Sequence, residues 1–174
     1  MKTRVLLFTA ILFGFGLIVG GPGRVVGQEQ QAKPPSCITN VTVERLGQAM
    51  PPDAAGKALV TLRVTIAPGG SIQAHTHPGT LVVSIESGAF EYTMLDDADL
   101  SVMRAQEGGG EAVSEPVAMG VPVILHPGDW FPDPEGMVHS ASNPGEEPTV
   151  ALVSGLVDPS QPFTQCVESG EPMS

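Results

Sequence analysis

Apolar residues in this chain recur in short alternating runs, broken about every ten residues by glycine, proline and acidic turns. A period of two marks a strand with one buried face. On that pattern Ile38 to Leu46 is a first strand, and Pro51-Pro52-Asp53 with Gly56 is a loop. Ala58 to Ile66 is a second strand, ended by Pro68-Gly69-Gly70, and Ile72 to His77 is a third. Leu81 to Ile85 turns at Ser87-Gly88, and Ala89 to Leu95 returns antiparallel as the second arm of a hairpin. Further strands are predicted over Leu100 to Ala105, Val121 to Leu125, from Trp130-Phe131 onward, and over Thr149 to Val157, with a turn at Pro127-Gly128-Asp129. No internal repeat and no useful helical period occurs beyond the N-terminal stretch. In 174 residues this predicts one all-β domain, either a sandwich or a barrel.

The N-terminus follows a different pattern. Met1-Lys2-Thr3-Arg4 is positively charged and leads into the apolar stretch Val5 to Val19. Residues 1–27 therefore read as a signal peptide cleaved before Gln28, with an uncleaved membrane anchor as the alternative. Residues 28–36 are a polar, proline-containing lead-in, 37–166 the folded domain, and 167–174 a tail. Either reading of the leader puts the domain outside the cytoplasm, secreted or periplasmic.

An even cysteine count in an exported chain predicts a disulfide, here Cys37 to Cys166, tying together the two ends of the domain. Two unpaired or metal-binding thiols are the alternative, with no C-x-x-C spacing to favour them. The formal charge of −11, with Lys and Arg scattered, excludes a nucleic-acid partner. It equally disfavours an anionic membrane surface once the leader is removed.

The candidate chemistry lies in three of the four histidines. His75 and His77 are spaced i, i+2, so a strand aims both rings from one face, and a further strand can bring His139 to the same point. Neutral imidazole is a good ligand for Fe, Mn, Zn, Ni or Cu, and a facial set of three leaves positions open for water, substrate or dioxygen.

The residues around them form two blocks. In the first, five residues separate Gly69 from His75, one separates His75 from His77, three separate His77 from Leu81, and six separate Leu81 from Gly88. In the second, five separate Gly128 from Pro134, one separates Pro134 from Gly136, two separate Gly136 from His139, and three separate His139 from Asn143. These blocks resemble the two motifs of the cupin superfamily. That resemblance implies a small double-stranded β-helix, or jelly-roll barrel, from about Val41 to Val157. It also implies a metal held by two histidines and a glutamate of the first motif and one histidine of the second. Leu81 stands where the glutamate belongs. The resemblance thus implies a divalent metal on His75, His77 and His139, a small organic ligand or substrate, and a homodimer such as small barrels of this family often form.

Four other acids are candidates to replace the missing glutamate. Glu86 has an odd offset from Leu81 and should face away from it, while Glu91, Asp133 and Glu135 need a favourable loop or strand geometry. His126 at a turn reads as a rim residue. Phe90, Tyr92, Met94, Trp130 and Phe131 read as core or barrel lining, Asp96 to Asp99 as solvated charge, and Gly136 and Asn143 as turn-formers near His139. The region between the motifs is expected to form a flap or rim over one barrel end. Asn40-Val41-Thr42 is a glycosylation sequon only in a eukaryotic source. Three functions fit these features: an oxygenase-like metal enzyme, a barrel that binds a small molecule or metal without turnover, and a metal-free isomerase-like barrel using a histidine as base.

Overall fold

The computed structural model describes residues 37–167. The expected signal peptide, the lead-in and most of the tail lie outside them. The described residues contain strands and turns and no helix. The strands are β1 (Ile38–Ala49), β2 (Ala58–Thr76), β3 (Gly79–Ser87), β4 (Phe90–Met94), β5 (Ser101–Arg104), β6 (Val113–Pro116), β7 (Val123–Leu125), β8 (Trp130–Asp133), β9 (His139–Ser142), β10 (Thr149–Val157) and β11 (Gln165–Cys166). They form one sheet in the order β6-β5-β8-β3-β10-β2-β9-β4-β7, with β1 and β11 also paired to β2. The sheet is antiparallel and curled, the all-β jelly-roll class that the sequence predicts.

Strand β2 joins the two halves of this architecture. Its first part pairs with β10, from Ala58 opposite Val157 to Ile66 opposite Thr149. Its last part pairs with β9 and β11. Pro68-Gly69-Gly70, expected to end the strand, bends it instead. Gly69 has φ +68°, where a side chain is strained, and a Cβ on Gly70 would lie 2.8 Å from the Ala67 and Asn40 carbonyl oxygens. The bend is fastened by Asn143, whose Nδ2 donates to the Ile66 and Glu147 carbonyls while its backbone N–H donates to the Gly70 carbonyl. The turn-former of the second motif therefore holds the glycines of the first.

Alternation sets the core. Val60, Leu62, Val64 and Ile66 of β2 point inward toward Val83 and Val153 of the neighbouring strands. At about 1.5–3 kcal/mol for each fully buried aliphatic side chain, this wall supplies the main cohesion of the domain. Cys37 and Cys166 form the expected disulfide, with a Cα–Cα distance of 5.7 Å. The region between the motifs adds strands at the sheet edges rather than a free flap: β5 and β6 form a hairpin that joins β8 through Met103 and Trp130. Arg104 and the buried Asp129 form an ion pair there, and Asp129 also accepts from the backbone N–H groups of Ala105 and His126.

Candidate metal centre

His75 and His139 are directly opposed across the β2–β9 pair, and His77 follows at the end of β2. The three rings meet inside the curled sheet, at 1%, 8% and 4% exposure for His75, His77 and His139. One ring nitrogen from each lies within 4.8 Å of the other two. The structure thus brings together all three histidines named from sequence, and leaves His126 exposed at its turn.

Each ring is oriented by the backbone. His75 Nδ1 lies 2.7 Å from the Gln73 carbonyl oxygen, His77 Nδ1 2.7 Å from that of Phe163, and His139 Nδ1 3.1 Å from that of Met137. A carbonyl oxygen only accepts, so each bond puts the ring proton on Nδ1 and leaves Nε2 with a bare lone pair. Burial keeps the rings neutral. It lowers His75 below its ordinary value, lowers His77 to about 4 with His75 adding to the effect, and lowers His139 well below its usual range.

Turns on both sides set these positions. Gly136, at φ +78°, donates its N–H to the His77 carbonyl and so ties the second motif to the first. Asp96 is half-buried rather than simply solvated, and its carboxylate accepts the Val138 N–H at 2.6 Å, next to His139.

Among the four acids considered, only Asp133 faces the histidines. Glu86 pairs outward with Arg63, Glu135 with Lys57, and Glu91 accepts from the Ser142 hydroxyl. Asp133 is 1% exposed, and burial pushes its carboxyl up to about 7. Its signal in the sequence is faint: in Trp130-Phe131-Pro132-Asp133 it occupies the same alternation phase as the buried Phe131.

The remaining walls are apolar. Phe90, Tyr92, Met94 and Phe131 line the interior as expected, whereas Trp130 is only half-buried on the other phase. Tyr92 stacks on His139 with ring centroids 5.4 Å apart, and among the described residues its hydroxyl reaches only the Met137 sulfur, at 4.0 Å. Phe163 carried no signal in the sequence pattern. Its ring centroid lies 4.7 Å from that of His77. The segment holding it, residues 158–166, begins with the Asp158 N–H donating to the Pro78 carbonyl and ends in the disulfide.

Two cavities border this segment. The inner one, about 50 Å³, touches the three histidines, Asp133 and Tyr92. The outer one, about 450 Å³, runs between β1, the inward face of β2 and residues 158–164. Ile38, Val43, Phe163 and Thr164 line both.

Histidines carried inward from two paired strands that lie far apart in the sequence define a class, the small all-β barrels that keep their polar groups inside. Within that class the Cupin family matches residues 40–169, and the chain belongs to it. A germin-like protein, 4-1, of Oryza sativa subsp. japonica is 30% identical over 137 residues, which cover 78% of this chain and 44% of that protein. The chain thus spans less than half the length of that relative. Among solved structures, a cupin-like protein from Thermotoga maritima is 19% identical over 79% of this chain and 85% of its own, with a TM-score of 0.49. A cupin superfamily protein from Desulfitobacterium hafniense is 18% identical over 68% of this chain and 78% of its own, with a TM-score of 0.44.

Proposed function

We propose that this chain is an exported cupin that holds a divalent metal on His75, His77 and His139 and acts on a small organic molecule, in the manner of an oxygenase-like enzyme. The observation that carries the reading is a cluster of three buried rings, one nitrogen of each within 4.8 Å of the others, each with Nδ1 against a backbone carbonyl. With the three Nδ1 protons given to backbone carbonyls, Nε2 is the nitrogen each buried ring has left for a metal. Such a donor set fits Fe, Mn, Zn, Ni or Cu and requires no proton to be expelled from the rings. When bound, the ion would supply a Lewis acid or, if redox-active, a centre for dioxygen chemistry.

The chain's own residues supply the rest of the site. The outer cavity has the volume of a small-molecule pocket, and its apolar side, with Val60, Leu62 and Val157, suits an organic body. Phe163 lines both cavities with its ring against His77, so its bulk bears on what fits beside the histidines. Tyr92 offers a buried hydroxyl whose sole partner among the described residues is a weak sulfur acceptor, so it can donate to an oxygen of the bound molecule. Export is supported by the charged and apolar leader sequence and by the disulfide. A second reading, a barrel that binds without turnover, is favoured by the small inner cavity, which holds only a few waters.

Metal analysis of protein purified without chelator tests the proposal. The parent is expected to carry one equivalent and His139→Ala little, and equally negligible metal in both overturns it. Oxygen uptake with phenolic and thiol compounds then separates the two readings, since a binder is stabilised by its ligand without consuming oxygen.

A further inference from the structure

The histidine site leaves one buried group unexplained. Neither oxygen of Asp133 has a hydrogen-bond partner among the described residues. Its near neighbours are His77 Nε2, 3.8 Å from Oδ2, and His139 Nδ1, 3.6 Å from Oδ1, both too distant for hydrogen bonds. Nor is either nitrogen free to donate. The His77 proton is on Nδ1 and given to Phe163, and the His139 Nδ1 proton is given to Met137. A carboxylate oxygen therefore faces a bare imidazole lone pair inside an apolar wall. Two electron-rich atoms so placed repel each other unless a positive centre lies between them. Buried polar groups in folded proteins are otherwise almost always partnered, and the place of this one, beside two of the three clustered rings, points to an ion shared with them.

Strand register shows what the carboxylate is for. Asp133 of β8 is directly opposite Leu81 of β3. Directly opposed residues project from the same face, with Cβ atoms about 4.5–5.5 Å apart. Leu81 is the position at which the first cupin motif carries glutamate. The carboxylate absent from β3 thus reappears one strand over, facing the same interior.

We infer that Asp133 is the anionic ligand of the centre, replacing from β8 the carboxylate that the motif places at position 81. This rests on the three-histidine reading above. The ligand set becomes three imidazoles and one carboxylate, the usual donor types reached by a different strand. A divalent ion held this way keeps one net positive charge rather than two and is held more firmly than by histidines alone. Glu86, Glu135 and Glu91 are engaged by Arg63, Lys57 and Ser142, and Asp129 by Arg104, so none competes for this role.

Co(II) titration of the full chain, stripped of metal, tests this. The readouts are affinity and visible absorption. Asp133→Asn should weaken Co(II) binding on the order of ten- to a hundredfold and alter the spectrum. Adding Leu81→Glu to that variant should restore much of the affinity, because it returns a carboxylate to the same face. Leu81→Glu alone should change little, the anionic position being filled; a gain as large as the Asp133→Asn loss overturns the inference even if Asp133→Asn fails to fold. Parental affinity and spectrum in Asp133→Asn, with His139→Ala unable to bind, also overturn it and leave the histidine centre standing. Co(II) retained at parental affinity by His139→Ala overturns the centre itself, and this inference with it.

Discussion

The two halves of β2 are the same strand held in different ways. From Ala58 to Ile66 every second residue is buried and apolar, while Thr61, Arg63 and Thr65 on the other face are half-exposed. Past the bend the alternation slips. Ile72 is buried and Gln73 exposed, but the next fully buried residue is His75 rather than Ala74. Pairing with β9 shifts register between Ile72 and His75, the mark of a β-bulge. Without that extra residue His75 and His77 would share the outward face of Gln73. The first half therefore follows the rule of area burial. The second departs from it to aim imidazoles inward, and is held by three ring-to-carbonyl bonds and by β11, whose Cys166 pairs opposite His75.

Removing the disulfide tests the histidine half most severely. Cys37→Ser with Cys166→Ser frees a loop of sequence separation 129, and the chain-entropy model puts the loss at about 4–5 kcal/mol. Denaturant unfolding should show that loss, and amide exchange should rise first at Gln165 and Thr76, the pair beside the bridge. Protection lost equally across β10 and the first half of β2 would mean that the halves are not separately held.

Ile66→Ala strikes the apolar half. Deleting this buried side chain should cost about 2–5 kcal/mol and leave metal affinity unchanged in the folded fraction. His139→Ala should show the reverse pattern, with metal lost and the melting temperature of metal-free protein little changed or raised. If Ile66→Ala also lowers metal affinity, the comparison fails.

Acid should separate the halves without mutation. In metal-free protein the His77 pKa is lowered by burial to about 4, below the ordinary 6.5 expected of the unfolded chain. The unfolded state then binds more protons between those values, so the stability this neutral ring allows is present above pH 6.5 and lost as pH falls through 4. The loss from His77 is on the order of 3 kcal/mol, and His75 and His139 shift in the same direction. Asp133, raised to about 7 from 3.8, opposes this, because its folded form binds the extra proton across that interval. Chemical denaturation of parent and His77→Phe across this range measures the difference; equal acid sensitivity in the two proteins would exclude His77 as a source.

The smallest effect is expected outside the barrel. Glu86→Gln breaks an exposed contact with Arg63 and should change stability by no more than about 0.5 kcal/mol, with no change in metal content. A drop in metal content would put Glu86 in the site and undo the assignment of faces.

Much of this was legible in the residues themselves. Strands, turns, the disulfide and the three histidines follow from local alternation and residue chemistry, so Ile38, Ala58, Thr149 and Val157 fall at strand ends as expected. The errors occur where distant segments decide the outcome. Pro68-Gly69-Gly70 looked like a break because these residues disfavour an ordinary strand, yet Asn143 supplies the hydrogen bonds that carry the chain through as a bend. Phe163 lies in a short segment without alternation, so nothing local marked it as a partner of His77.

The sequence alone determined an all-β chain with the spaced glycines, histidines and asparagine of a cupin, because strand period and turn chemistry act over a few residues. It also determined that position 81 is leucine and carries no charge. Which acid stands in its place was decided only by the tertiary structure. Register between β3 and β8 is set by pairing along both strands, and that pairing puts Asp133 opposite Leu81. The same holds for the bulge, since the partner strand β9 shows where β2 carries its extra residue and so which way His75 points.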